Sequence, residues 1–228
     1  MTRNADDRSS IKRLKAESII GLLRQKGFEA FLVGGCVRDF IRGELPEDYD
    51  IVTSATPDQV IDLFERTVPV GAKFGVVMVI SDGHPFEVAT FRSDDVYEDG
   101  RRPTRVHYAS VKEDVLRRDF TVNGLLMDPV TGDIIDYVGG RDDIQRKILR
   151  TIGDPVLRFN EDHLRMLRAI RFAANLEFSL DEATKKAVTA NASQIAIVSA
   201  ERIQEELGKI LTRGGARRGL ELLAETGL

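Results

Sequence analysis

The sequence predicts a mixed α/β (α+β) domain built on a small sheet, followed by an all-helical segment. Three observations carry that prediction. Short β-favouring runs alternate with amphipathic helical runs up to about residue 150; a helical apolar period takes over from about residue 155; and "TIGDP" (151–155) punctuates the change with a glycine and a proline. The expected domains are therefore 1–150 and 151–228.

Each element has a local reason. Residues 9–26 place Ile11, Leu14, Ile19, Leu22 and Leu23 on one helical stripe, with Gly27 as a stop. "FEAFLVGG" is a short strand running into two glycines, and "CVRDFIRG" is a helix closed near Gly43. "DYDIVT" reads as a strand. "TPDQVIDLFER" is a helix with Thr56 as N-cap, Pro57 in the first turn and Asp58 beside it. "FGVVMVIS" and "FEVATFR", joined through "SDGHP", give a hairpin signal. "SDDVYEDGRRPTR" is a loop by composition, "VLRRDFTVNGLLMDP" starts as a helix, and "GDIIDYVGG" is a strand and then a turn.

Composition narrows the function classes. With 42% hydrophobic and 31% charged residues, the 228-residue chain has the makeup of a globular protein with a proper core. No apolar run reaches about 18 residues, so no membrane span is expected, and the polar N-terminus is unlike a signal peptide. The lone cysteine, Cys36, excludes an internal disulfide framework and fits a reducing cytoplasm. A net charge of −4 does not advertise a nucleic-acid binder, although a basic face can coexist with an acidic remainder. His84, His107 and His163 are scattered without ligand spacing, which argues against zinc.

The chemistry concentrates in carboxylates. Alternation along a strand would point Asp48 and Asp50 the same way, roughly 7 Å apart. Their mutual repulsion asks for a cation, and magnesium suits hard oxygen ligands while leaving positions for phosphates and water. Glu87, between Phe86 and Val88, is a third carboxylate. Three on one sheet face could hold two metals, the arrangement that clamps attacking and leaving oxygens in phosphoryl transfer. Alone, the aspartate pair also reads as an exposed edge or turn, and Glu87 as a solvated strand residue. "LVGGCVRD" changes the weighting: two glycines between strand and helix let backbone approach a phosphate, and Arg38 sits on that helix's first turn. The set fits neither a Rossmann nor a P-loop pattern.

With these residues in view, the sequence resembles the bacterial (class II) tRNA nucleotidyltransferases and poly(A) polymerase I, within the polymerase-β-like nucleotidyltransferase superfamily. The resemblance is carried by "LVGGCVRD" (32–39), "EDYDIVTSATP" (47–57), "FEVATFR" (86–92), "RRDFTVN" (117–123), "DYVGG" (136–140), "RFNEDHLRMLRAIRFA" (158–173) and "ERIQEELGKIL" (201–211). It implies a catalytic head followed by a helical neck and the start of a body, with most of the tail that holds tRNA lying beyond "LLAETGL". It implies two Mg2+ ions on Asp48 and Asp50, with Glu87 as the third acid, and CTP and ATP as substrates. Gly35 and Arg38 match triphosphate contacts. Arg118, Asp119 and Asn123 match the motif that reads the sugar, although Asp119 among basic residues also reads as a plain ion pair. The implied partner is the tRNA 3′ end.

Base choice is expected from "EDHLR". Asp162 and Arg165, three apart on a helix, would be neighbours on one face. A carboxylate accepting from an exocyclic amino group beside a guanidinium donating to a ring nitrogen fits C and A and rejects G and U. Arg168 and Arg171 drift around the helix and would serve the triphosphate, the pocket wall or the orientation of Asp162; all four also read as an ordinary charged face. In the family a loop at "YEDGRRP" lets the pocket switch from C to A, so addition of the terminal A is expected. CC-only, A-only and poly(A) addition remain open, as does a non-catalytic RNA-binding module on the same fold.

Overall fold

A computed structural model describes residues 3–94 and 106–228. The "YEDGRRP" segment, with its expectation about A addition, lies outside the described residues. The chain divides into two compact units. Residues 3–94, 106–118 and 123–141 form the first; residues 119–122 and 142–228 form the second.

The first unit is a sheet with flanking helices. In chain order it contains α1 (Arg3–Gln25), β1 (Ala30–Val33), α2 (Gly35–Arg42), β2 (Asp50–Thr53), α3 (Pro57–Leu63), β3 (Thr67–Gly71), β4 (Val76–Ser81), β5 (His84–Thr90), β6 (Arg92–Asp94), β7 (Val106–Tyr108), α4 (Val111–Leu116), β8 (Leu125–Met127) and β9 (Ile134–Asp136). Seven strands run in the order β3-β4-β5-β2-β1-β8-β9, and β2–β5 is the parallel pair among antiparallel ones. β6 and β7 form a separate ribbon. The β4–β5 hairpin turns through Asp82 and Gly83, both with positive φ (46° and 80°), the geometry a two-residue turn needs to match strand twist. Under the sheet, Val33, Val52, Phe91, Val115 and Leu126 form a dry cluster, each such side chain contributing about 1.5–3 kcal/mol by leaving water.

Local chemistry explains the helices. Thr56 caps α3 ahead of Pro57, as the sequence predicts, and Gln59 reaches back to complete a capping box that the sequence reading did not name. Ser110 and Glu113 do the same for α4. The α1 stripe is corrected at its N-terminal half: Ile11 and Leu14 are exposed, and the buried face is Ala16, Ile19, Ile20 and Leu23. The helix expected to start at "VLRRDF" is α4, which begins earlier and stops at Leu116. "LLM" then becomes β8, a strand paired on both sides and therefore apolar throughout, without the alternation that marks a half-exposed strand.

The chain passes into the second unit within α5 (Gly140–Arg146). This unit holds β10 (Ile148–Leu149), α6 (Pro155–Glu161), α7 (Leu164–Leu176), β11 (Ser179–Leu180), α8 (Glu182–Asn191), α9 (Ala200–Thr212) and α10 (Ala216–Thr226), with β10 and β11 pairing in parallel. The α7 stripe that the period marks (Leu164, Leu167, Ile170, Ala174) is buried, and Met166 and Ala173 are buried with it. α10 packs close because Gly219 faces Ile210: a Cβ there would collide with that side chain. No described helix is long and apolar enough to cross a membrane.

Candidate active site

In the first unit the site starts from strand register. Ile51 pairs with Val88 across the parallel β2–β5 contact, so one step back sets Asp50 beside Glu87 on the same face. Ile51, Phe86 and Val88 are buried on the other face, while both carboxylates are exposed. Neither carboxylate hydrogen-bonds or ion-pairs with another described residue. Although the Asp50 side chain reaches solvent, the packed sheet end crowds its carboxyl; that partial desolvation, and then the Glu87 charge, push it up to about 6, with Arg118 pulling it down and Asp48 adding to the rise.

Asp48 corrects the sequence reading. It lies outside the strand, which begins at Asp50, because β1 ends at Val33, the partner of Asp50, and turns away at Gly34; no strand remains opposite Tyr49 and Asp48. The exposed Asp48 carboxylate accepts from Lys12 Nζ at 2.9 Å, and the same ammonium donates to the Glu47 carbonyl at 2.6 Å. Among the described residues no three His, Cys, Asp or Glu side chains stand close enough to hold an ion. The Asp50 and Glu87 donors are nonetheless hard oxygens, and their repulsion is what a divalent cation relieves, so this pair fits magnesium by donor chemistry, while Asp48 is held by Lys12.

Where β1 ends beside Asp50, the backbone turns through Gly34 at φ 75°, ψ −128°, a conformation open essentially to glycine alone. Gly34 N–H donates to the Leu125 carbonyl at 3.1 Å, and α2 opens at Gly35. Arg38 is buried; its Nη1 donates to Asn123 Oδ1 at 2.8 Å and its Nε to Asp39 Oδ1 at 2.9 Å. A Cβ on Gly35 would stand 3.6 Å from the Arg38 guanidinium, and one on Gly34 would stand 3.8 Å from Arg118 Nη1. Gly35, Arg38, Arg118 and Asn123 are thus brought together at the glycine turn. Asp114 was missed by sequence reasoning. It is fully buried and engages both Arg117 and Arg118, and its signal was one acid placed three and four residues before two arginines, which the structure sets just past the end of α4.

The second unit gathers the other candidates into ion pairs. Asp119 accepts from Arg168 Nε at 2.9 Å through one oxygen and from Phe120 N–H at 2.8 Å through the other. Burial pushes its carboxyl up, but Arg168 outweighs burial and holds it below the usual range. Arg171 pairs with buried Glu206 and lies 4.0 Å over the Phe172 ring. Burial pulls the Arg171 guanidinium down, and it stays charged all the same; its charge holds Glu206 low against that carboxyl's own burial.

Asp162 and Arg165 do not share a helix face as expected. α6 ends at Glu161 and α7 begins at Leu164, leaving Asp162 extended between them (φ −152°, ψ 106°). Its oxygens accept from Leu164 N–H at 3.1 Å and Arg202 Nη2 at 2.7 Å, while Arg165 pairs with Glu161 and donates to the Arg158 carbonyl at 3.2 Å. The three-residue rule holds only along a continuous helix. Arg202 and Glu206 were legible only as an unassigned stretch, "ERIQEELGKIL".

The family described as "Poly A polymerase head domain" matches residues 30–150, and the one described as "Probable RNA and SrmB- binding site of polymerase A" matches residues 177–228. The chain belongs to the tRNA nucleotidyltransferase and poly(A) polymerase family. A CCA-adding enzyme of Geobacillus sp. (strain WCH70) is 49% identical over 215 residues, covering 94% of this chain and 53% of that protein. The crystal structure of the Bacillus stearothermophilus CCA-adding enzyme in complex with CTP superposes with a TM-score of 0.86 at 45% identity, over 93% of this chain and 52% of that one. A tRNA nucleotidyltransferase complexed with a primer tRNA and an incoming ATP analog gives 0.77 at 29% identity, over 92% of this chain and 60% of that one. The mixed α/β architecture with a polymerase-β-like head is thus a family feature. The chain spans about half the length of the curated relatives it matches.

Proposed function

We propose that this chain carries the catalytic head (1–150) and the helical neck and start of the body (151–228) of a cytoplasmic tRNA nucleotidyltransferase. It adds nucleotides from CTP and ATP to the tRNA 3′ end, for CCA addition or repair, and releases pyrophosphate. The observation that carries the reading is the β2–β5 register, which sets Asp50 beside Glu87 at the sheet end where the glycine turn emerges. Similarity to CCA-adding enzymes across almost the whole chain supports it.

In the reaction the 3′-hydroxyl attacks the α-phosphate, the bond to the β-phosphate breaks, and pyrophosphate leaves. Asp48 and Asp50, with Glu87, would hold two magnesium ions, which when bound offset the carboxylate charge and draw negative charge from the phosphates. The backbone at Gly35, together with Arg38, binds the triphosphate; Arg118, Asp119 and Asn123 orient sugar and phosphate. Asp162 offers an acceptor and Arg165 a donor for the shared edge of C and A, each giving up a protein partner to do so. Arg168 and Arg171 hold the acids around them in place.

Replacing Asp48 and Asp50 by Ala tests the assignment; retained CTP or ATP incorporation into tRNA ends it. The family description "Poly A polymerase head domain" favours a second reading, poly(A) synthesis. Offering the full-length protein tRNA lacking one, two or three terminal nucleotides, with single NTPs, separates CCA, CC-only and A-only addition, whereas long products from any RNA with ATP mark poly(A) synthesis. A non-catalytic RNA-binding module would bind tRNA and incorporate nothing.

A further inference from the structure

Asp114, on α4, is fully buried yet carries a full charge, and every acceptor direction is used. Oδ1 accepts from Arg117 Nη2 at 2.6 Å and Nε at 3.0 Å, and from the Arg92 backbone N–H at 3.3 Å. Oδ2 accepts from Arg118 Nη2 at 3.0 Å and Nε at 3.3 Å. Burial pushes this carboxyl up, but Arg118 and then Arg117 outweigh it and hold it low, so the group stays ionised. A buried ion cluster is an expensive way to fill space, since apolar packing does that at no desolvation cost.

The two arginines use the carboxylate differently. Arg117 also donates through Nε to the Arg92 carbonyl at 3.0 Å, which ties it to the neighbouring strand. The Arg118 side chain hydrogen-bonds no other described residue. Its Nε/Nη2 edge is spent on Asp114, and its Nη1 is turned to Gly34, 3.8 Å from where a Cβ would stand. The same guanidinium is near enough to lower the Asp50 carboxyl. A guanidinium gripped along one edge presents its other edge in a fixed direction, which a long flexible side chain cannot do unaided.

We propose that Asp114 is a positioning residue for nucleotide binding: its buried carboxylate locks Arg118 so that Nη1 faces the glycine turn and meets an anionic phosphate oxygen of the incoming triphosphate. This rests on the nucleotidyltransferase reading above.

The test is CTP affinity, by calorimetry in magnesium buffer, for Asp114→Asn, Arg118→Lys and the double variant, with melting temperatures alongside. Asp114→Asn keeps the shape and removes the charge; it folds and binds CTP about tenfold more weakly. The double variant binds no more weakly than Arg118→Lys alone, because the first effect runs through the second residue. Folded Asp114→Asn with wild-type affinity, or two losses that multiply in full, overturns the proposal. If Asp114→Asn does not fold, Arg118→Lys decides. Lysine cannot grip Asp114 side-on and also reach Gly34, so weaker CTP binding supports the proposal and unchanged affinity overturns it. Turnover that survives Asp50→Ala defeats the parent reading, whereas lost turnover with wild-type CTP binding in Asp114→Asn defeats this inference alone.

Discussion

The strand-end acids of the first unit and the candidate acids of the second are held in opposite ways, whereas Asp114 of the first unit is arginine-paired like the latter. In the first, the register of β2 and β5 leaves Asp50 and Glu87 adjacent and alike in charge, and Asp50 is raised to about 6. In the second, Asp119, Glu206 and Asp162 each have an arginine, and Asp119 and Glu206 are held below the usual range. The first arrangement costs stability until a ligand supplies positive charge; the second contributes stability and rigidity on its own. Charge removal should therefore strike turnover at Asp50 and folding at Asp119 or Glu206.

The sharpest way to break that contrast is Asp50→Ala. Nucleotide incorporation falls by at least about 10⁴-fold, while the melting temperature holds or rises because a like-charge contact is gone. A destabilised but active variant would erase the distinction. Next comes Glu206→Leu, which strands buried Arg171 and costs about 3–5 kcal/mol in urea unfolding; adding Arg171→Met recovers most of that loss. Gly34→Ala forces a side chain into a glycine-only conformation at a cost of about 1–3 kcal/mol, and weakens CTP binding by shifting the turn.

Acid titration sharpens the second unit's half of the contrast. The folded Asp119 carboxyl lies below its unfolded value of about 3.9, so its contribution is fully present above that value and is lost as pH falls through the folded value. Asp119→Asn is accordingly less stable than the wild type near neutrality, and the gap narrows below about pH 4. Smallest is Thr56→Ala, which removes one cap from α3 and costs about 1 kcal/mol without touching either charge system.

Much of this was legible in sequence where the determinant is local. The Thr56 N-cap, the Asp82–Gly83 turn, the two-glycine step into α2 and the apolar stripe of α7 each depend on residues within one or two turns of chain. Readings failed where the determinant was a distant partner. Asp48 leaves the strand because β1 ends opposite Asp50; Asp162 leaves its helix and is held by Arg202; Leu14 is exposed although its spacing matches a buried stripe. Asp114 escaped notice because an acid near two arginines reads as a solvated helix pair until burial is known.

The sequence by itself determined which segments become strands and helices, and it placed acids, glycines and arginines at the ends of those segments, because backbone preference and side-chain chemistry act over a few residues. Only the tertiary structure decided that Asp50 meets Glu87, that Asp119 takes Arg168 and Arg171 takes Glu206, and that Arg118 is gripped by Asp114. Register and packing select these partners from many chemically equivalent ones, and that selection is made by the whole core at once.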